Sequence, residues 1–336
     1  MKFRSELDIK QQPVAIRYPE PILLAGSCFT EHMGEKLRNY RFPILENPHG
    51  ILFNPVSIAD TLMSCLENRK YDREDLFYLH ERWNSWDHHS RFSHPDPDVC
   101  LQMINDSQEA AHDFLRRTGW LVLTLGSAYV YELNEAAAGY TVFAAKHAGR
   151  VAANCHKAPS DWFTHRLLGV EEILSILDNL LHRLLLFNPS LRIVFTISPV
   201  RHLREGMVEN NRSKAALIQA VHHVAGKFAR IDYFPAYELV IDDLRDYRYY
   251  AEDLVHPNYQ ATQYVWEKFT QGFMSDQARD IMKALEPILA ARRHNAFNPA
   301  SGEHRKFLES HAALCRAVQA RYPFIDLSGD LQYFAH

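Results

Sequence analysis

The chain has 336 residues, 47% hydrophobic and 23% charged, with 37 Lys plus Arg against 41 Asp plus Glu and a formal net charge of −4. That balance suffices to bury a core and lacks the basic excess of a nucleic-acid-binding protein. No apolar stretch approaches the roughly 20 residues that cross a bilayer, and the first residues carry no apolar signal segment, so neither a membrane partner nor secretion is expected.

In chain order, residues 22–25 form a short apolar run that ends in Gly26-Ser27-Cys28, and residues 31–40 read as a helix. A weaker strand is expected at 42–45 and a helix at 57–68. Residues 78–99 are polar, aromatic and irregular, which predicts a long loop. A helix at 106–117 precedes a strand at 120–125 that stops at Gly126. A helix at 170–186, closed by Asn188-Pro189, leads to a strand at 192–197 that stops at Ser198-Pro199. Ser213 is the expected cap of a helix near 214–229, followed by a strand at 231–234 and a helix at 260–269. From about 276 the pattern is helical, interrupted at 298–302. Alternating strands and helices predict an α/β fold with a mostly parallel five-stranded sheet, its chemistry at the carboxyl ends of the strands. The expected organisation is one unit over 1–275 and a helical C-terminal extension over 276–336, packed on or beside it.

The five cysteines, Cys28, Cys65, Cys100, Cys155 and Cys315, form no disulfide framework, and a reducing, cytoplasmic setting fits them. Cys28 stands where a strand gives way to a helix, and amides at a helix start lower a thiol's pKa and favour the thiolate. Ser27 is the rival nucleophile, less easily ionised. Far downstream, Asp253-Leu254-Val255-His256 offers a base with an orienting carboxylate. Gly50 and Gly126 are candidate backbone donors to an oxyanion, and Asn154 a candidate side-chain donor. Arg201, after a strand end, is placed to clamp a substrate carboxylate or phosphate. His88, His89 and His94 lack metal-ligand spacing, so no metal and no cofactor is expected. Trp83, Trp86 and Phe92 in the same loop offer stacking surfaces for a substrate or pack the loop down.

Gly26-Ser27-Cys28-Phe29-Thr30 resembles the signature of the GSCFA domain family, with Thr30 in place of the final Ala. The segments 47–58, Thr124-Leu125-Gly126, Asn154-Cys155-His156-Lys157 and Ser198-Pro199-Val200-Arg201 agree in the same order, over roughly 16–269. That family is similar to the SGNH/GDSL hydrolases, so the resemblance implies a flavodoxin-like three-layer α/β/α sandwich. It places Cys28 at their nucleophilic serine, Asp253 and His256 at their final Asp-x-x-His, and Gly50 at their second-block glycine. Their third-block Gly-x-Asn is met at Gly126 only, because Ala128 stands at the asparagine.

The expected activity is hydrolysis of an ester or thioester through a Cys-His-Asp acyl-enzyme, on a small-molecule or glycan acyl substrate. Two alternatives stand beside it. One is acyl transfer or deacetylation on a glycan. The other is a binding protein that kept the fold and lost the chemistry.

Overall fold

The structure, a computed structural model, describes residues 4–138 and 149–335. Its strands are β1 (Ile22–Gly26), β2 (Ile44–Glu46), β3 (Leu76–Leu79), β4 (Arg82–Ser85), β5 (Trp120–Leu125), β6 (Tyr129–Leu133), β7 (Phe163–Leu167), β8 (Arg192–Ile197) and β9 (Ile231–Phe234). The longer helices are α1 (Cys28–Asn39), α2 (Pro55–Glu67), α3 (Pro97–Arg117), α4 (Val170–Phe187), α5 (Met207–Lys227), α6 (Tyr259–Phe273), α7 (Asp276–Arg292), α8 (Gly302–Arg321) and α9 (Ser328–Phe334).

Five strands form one parallel sheet in the order β2-β1-β5-β8-β9. Counted within that sheet, the order is 2-1-3-4-5, the flavodoxin-like arrangement. These strands read as continuous apolar runs because both of their faces are covered. Successive side chains alternate between two cores. Ile22 and Leu24 pack with Phe29, Trp266 and Phe273 on one face. Leu23 and Ala25 pack with Leu62, Leu115, Leu181 and Val221 on the other. The first face carries α1 and α6; the second carries α2 to α5. The result is a three-layer α/β/α sandwich, as the resemblance implied.

Three expectations need correction. Residues 78–99 are not one irregular loop: β3 and β4 pair as an antiparallel hairpin, and α3 already begins at Pro97, capped by Asp96. A second hairpin, β6 with β7, was not anticipated. Ser213 is no helix cap, because α5 starts seven residues past 200, at Met207, after Gly206. Its hydroxyl instead accepts the Ala128 N–H at 2.7 Å.

The C-terminal helices share the first core. Leu285, Ile288, Cys315 and Phe334 are buried in the cluster that holds Ile22, Phe29 and Leu37. Asp330, 2% exposed, takes a two-pronged bond from Arg41 at 2.6 and 2.7 Å, which pins α9 to the turn after α1.

Candidate active site

The β1–α1 junction is held tightly. Gly26 has φ +148°, and a Cβ built on it would lie 2.3 Å from Thr124 O, so only glycine lets β1 approach β5 here. Its N–H donates to Asn47 Oδ1 at 2.9 Å, from the buried residue that follows β2. The Ser27 N–H donates to Thr124 O at 3.2 Å. The Ser27 side chain is buried and its hydroxyl has no hydrogen-bond partner in the structure. Cys28, the first residue of α1, is half-buried. Of the two nucleophile candidates, Ser27 is therefore the enclosed one.

Burial pushes the Cys28 thiol up, and the Glu31 carboxylate adds to that. The amides of Phe29 and Cys28, together with the Lys214 charge, pull it down without winning. The helix start thus exerts the expected effect, but desolvation outweighs it, and the resting group at neutral pH is the thiol. The thiolate expected from the sequence is not the resting form.

Asp253 and His256 come together within one loop. Asp253 Oδ2 lies 2.7 Å from His256 Nδ1, while Oδ1 accepts the N–H groups of Val255 at 2.9 Å and His256 at 3.0 Å. These bonds, the His256 N–H foremost, hold the Asp253 carboxyl down at about 2. Arg201 ties this loop to the end of β8 by donating its N–H to Val255 O at 3.2 Å. Its guanidinium sits over the Tyr250 ring, 4.4 Å from the centroid. Phe29, next to Cys28, and Tyr259, just past His256, line one groove of about 320 Å³ between α1 and α6. Among the described residues, no hydrogen bond joins the Cys28 thiol to the His256 ring.

The two glycine amides are already engaged. Gly50, at φ +90°, donates its N–H to Asn47 O at 2.7 Å, and Gly126 donates to Phe53 O at 2.7 Å. Asn154 Oδ1 accepts the His156 N–H at 2.8 Å, and the residue lines a cleft of about 470 Å³ with Arg82, Asn84, Ser90 and Ser93. Ala128, where the resemblance implied an asparagine donor, is buried and offers no side-chain donor.

The three histidines diverge. His88 is buried with Nδ1 2.9 Å from Ser85 Oγ, His89 donates its N–H to His49 O, and His94 Nδ1 accepts the Asp96 N–H. Among the described residues, no group of three or more His, Cys, Asp and Glu side chains is placed to hold a metal ion. Trp86 is fully buried and stacked on Phe77 at 3.8 Å, and Phe92 is also buried. These two rings pack the segment down rather than face a substrate.

Sequence reading missed Lys214. Its Nζ donates to Gly126 O at 2.6 Å and to Ser198 O at 2.7 Å, so it bridges the ends of β5 and β8 from below. Burial brings it down to about 7. The signal was present in the helical spacing, since Asn210, Ser213, Lys214, Leu217, Val221 and Val224 fall on one buried stripe of α5.

The model of the GSCFA family matches residues 21–269, and that of the GSCFA domain protein C-terminal domain matches residues 285–336. No curated protein matches the chain. Similar solved structures include a putative platelet activating factor from Streptococcus pneumonia, at 12% identity, covering 77% of this chain and 85% of that one, with a TM-score of 0.37. A carbohydrate esterase family 3 protein from Talaromyces cellulolyticus has 7% identity, 80% and 99% coverage, and a TM-score of 0.35. An acetyl xylan esterase from Butyrivibrio proteoclasticus has 11% identity, 82% and 66% coverage, and a TM-score of 0.36. No helix among the described residues is long and apolar enough to cross a membrane.

Proposed function

The chain belongs to the GSCFA family, and from that premise we propose that it cleaves an ester or thioester through an acyl-enzyme on Cys28. The observation that carries this reading is the Asp253–His256 pair, 2.7 Å apart, in a loop anchored to the same sheet edge from which Cys28 emerges.

The resting thiol is protonated, so its proton must leave as the sulfur attacks. In this reading His256 Nε2 takes that proton while Asp253 holds Nδ1–H, and the Cys28 sulfur adds to the acyl carbonyl. The thiol–imidazole contact forms in the substrate complex, as catalytic hydrogen bonds often tighten there. The Cys28 N–H at the helix start meets the developing oxyanion. The alcohol or thiol leaves with the proton from His256. Water, deprotonated by the same ring, then attacks the acyl-cysteine, releasing the acid and restoring the thiol. Gly50 and Gly126 shape the turns around the site. Ser27 precedes Cys28 with its hydroxyl enclosed, Arg201 steadies the Asp-x-x-His loop, and Asn154 lines the cleft that receives the remainder of the substrate.

The test is mass spectrometry of enzyme quenched during turnover of an activated aryl ester. An acyl adduct on Cys28 is expected, with both adduct and turnover lost in Cys28→Ala. No adduct, with unchanged turnover in Cys28→Ala, removes the mechanism and leaves the fold without this chemistry.

A second reading is transfer of the acyl group to a sugar hydroxyl. The cleft lined by Arg82, Asn84, Ser90, Ser93 and Asn154 favours it, because its polar side chains suit hydroxyl groups. Product analysis with a sugar present separates the two: acylated sugar supports transfer, and free acid alone supports hydrolysis.

A further inference from the structure

The cleft that holds Asn154 is bordered by two tight turns, both built against backbone preference. In the β3–β4 hairpin, His80 and Glu81 have φ of +51° and +59°. In the turn closed by the Ala158 N–H on Cys155 O at 2.8 Å, His156 and Lys157 have φ of +48° and +57°. Two left-handed residues in a row favour asparagine and glycine, so these four larger residues must be held in place. The His80 Nε2–H donates to Lys157 O at 3.3 Å and joins the turns, while the buried His156 donates from Nε2 to Ser85 O at 2.8 Å. The cleft walls carry Arg82 and Lys157 and no carboxylate, in a chain of net charge −4. Both cations are exposed, and among the described residues neither side chain has an ion-pair or hydrogen-bond partner. The Asn154 amide N–H groups and the Ser90 hydroxyl are also uncommitted among the described residues, whereas Asn84 spends its amide on Leu79 O and Arg82 O. Lys157 further lines an adjoining hollow of about 230 Å³ with Tyr131, Phe163 and Arg204.

The wall reaches the nucleophile junction through direct contacts. Ser90 follows His89, whose Cβ lies 2.2 Å from where a Cβ on Gly50 would stand. Ser90 also precedes Arg91, which donates to Asn47 O and stands 4.0 Å from Glu31 on α1. Asn47 in turn accepts the Gly26 N–H.

We infer that this cleft binds an acidic saccharide: Arg82 and Lys157 receive its carboxylate or phosphate, and Asn154 and Ser90 bond its hydroxyl groups. The planar guanidinium suits a two-pronged bond to either anion, and the ammonium adds a point charge from the opposite turn. No carboxylate in the wall has to be displaced for the anion to enter. The Tyr131 and Phe163 rings beside Lys157 offer apolar faces to a further sugar ring. The inference rests on the reading in which this cleft receives the part of the substrate beyond the acyl group, and it narrows that part from any sugar to an acidic one.

The test is calorimetric titration of the full-length protein with three probes: digalacturonate, trehalose 6-phosphate and neutral trehalose. At least one acidic sugar is expected to bind about tenfold or more tightly than trehalose. Preference for digalacturonate identifies the anion as a carboxylate, and preference for trehalose 6-phosphate identifies it as a phosphate. In the double variant Arg82→Gln with Lys157→Asn, the acidic probe is expected to bind about tenfold more weakly. Asparagine suits the left-handed backbone at 157, and circular dichroism checks the fold. In the wild-type protein, raising sodium chloride from about 50 to about 500 mM is expected to weaken the acidic probe alone. Acidic sugars that bind no tighter than trehalose, or a folded double variant with wild-type affinity for them, overturn the inference. If the double variant does not fold, salt-independent binding of the acidic probe to the wild-type protein overturns it. None of the probes is an ester. An acyl adduct on Cys28 without acidic preference therefore removes this inference alone, and acidic preference without an adduct removes the hydrolase reading alone.

Discussion

Asp253 faces His256 across 2.7 Å with its other oxygen occupied by the Val255 and His256 amides, so the loop itself fixes the orientation of the imidazole. Both side chains are about half exposed, 49% and 46%. An exposed pair of this kind is screened by solvent and contributes little to stability. Asp253→Asn is therefore expected to leave the melting temperature nearly unchanged while lowering kcat/KM for an activated ester by about 100- to 10,000-fold. The pair's small stabilisation has a depressed-carboxylate sign: it is present above the unfolded value of about 4 and is lost as pH falls through about 2. Steady-state kinetics and thermal melts of the variant check both statements.

Gly26→Ala puts a methyl group 2.3 Å from a backbone oxygen at φ +148°, where a side chain is disfavoured even without the clash. Neither β1 nor β5 can yield, because both lie in the middle of the sheet. The expected loss is on the order of 2–4 kcal/mol in urea unfolding. A loss below about 0.5 kcal/mol contradicts the close approach of the two strands.

Lys214 gives the stability of the protein a pH slope. Its value falls from about 10.4 in an unfolded chain to about 7 in the fold, so between these limits the unfolded state binds more protons. Stability contributed at this site rises with pH through that window, by at most about 1.4 kcal/mol per pH unit. Lys214→Met removes the slope. Urea unfolding at several pH values is expected to show the variant's advantage shrinking as pH rises above 7.

Asp330→Ala removes a buried carboxylate from Arg41 and leaves that guanidinium with the Arg38 and Asn39 carbonyls. Because Arg41 is 24% exposed, the loss is expected below the full value for a buried pair, about 2–3 kcal/mol. High salt is expected to change this loss little, since Asp330 is out of solvent. Unfolding curves with and without salt test it.

Trp86→Ala is expected to cost about 3–5 kcal/mol, as for any large buried ring, with KM for soluble esters unmoved. A raised KM at unchanged stability contradicts its placement in the core.

β1, β5 and β8 were legible because each is a buried apolar run ended by Gly or Ser-Pro, whereas β2, partly exposed and ending in Glu46, gave a weaker signal and β9 was marked by the Pro235 that stops it. β3 and β4 were not, because Leu76-Phe77-Tyr78-Leu79 and Arg82-Trp83-Asn84-Ser85 mix polar and aromatic residues in a hairpin with one partly exposed face. The start of α5 escaped because Met207 and Val208 are exposed and the two following asparagines have weak helix propensity. Cys28, Asp253 and His256 stood out by residue type. The engaged amides of Gly50 and Gly126 did not, because a glycine's spacing says nothing about which carbonyl its N–H meets. Lys214 escaped for a different reason: a lysine in sequence reads as surface unless its place on the helical stripe is weighed first.

The cluster that joins Phe29 and Leu37 to Leu285, Cys315 and Phe334 also bears on biosynthesis. As the nascent chain emerges from the ribosome, α1 cannot complete its packing until the last helices have cleared the exit tunnel. The half-formed layer therefore leaves apolar surface uncovered until those helices arrive, an exposure that favours aggregation. A stop codon before α7 leaves Phe29 and Leu37 without the Leu285, Cys315 and Phe334 side chains that cover them.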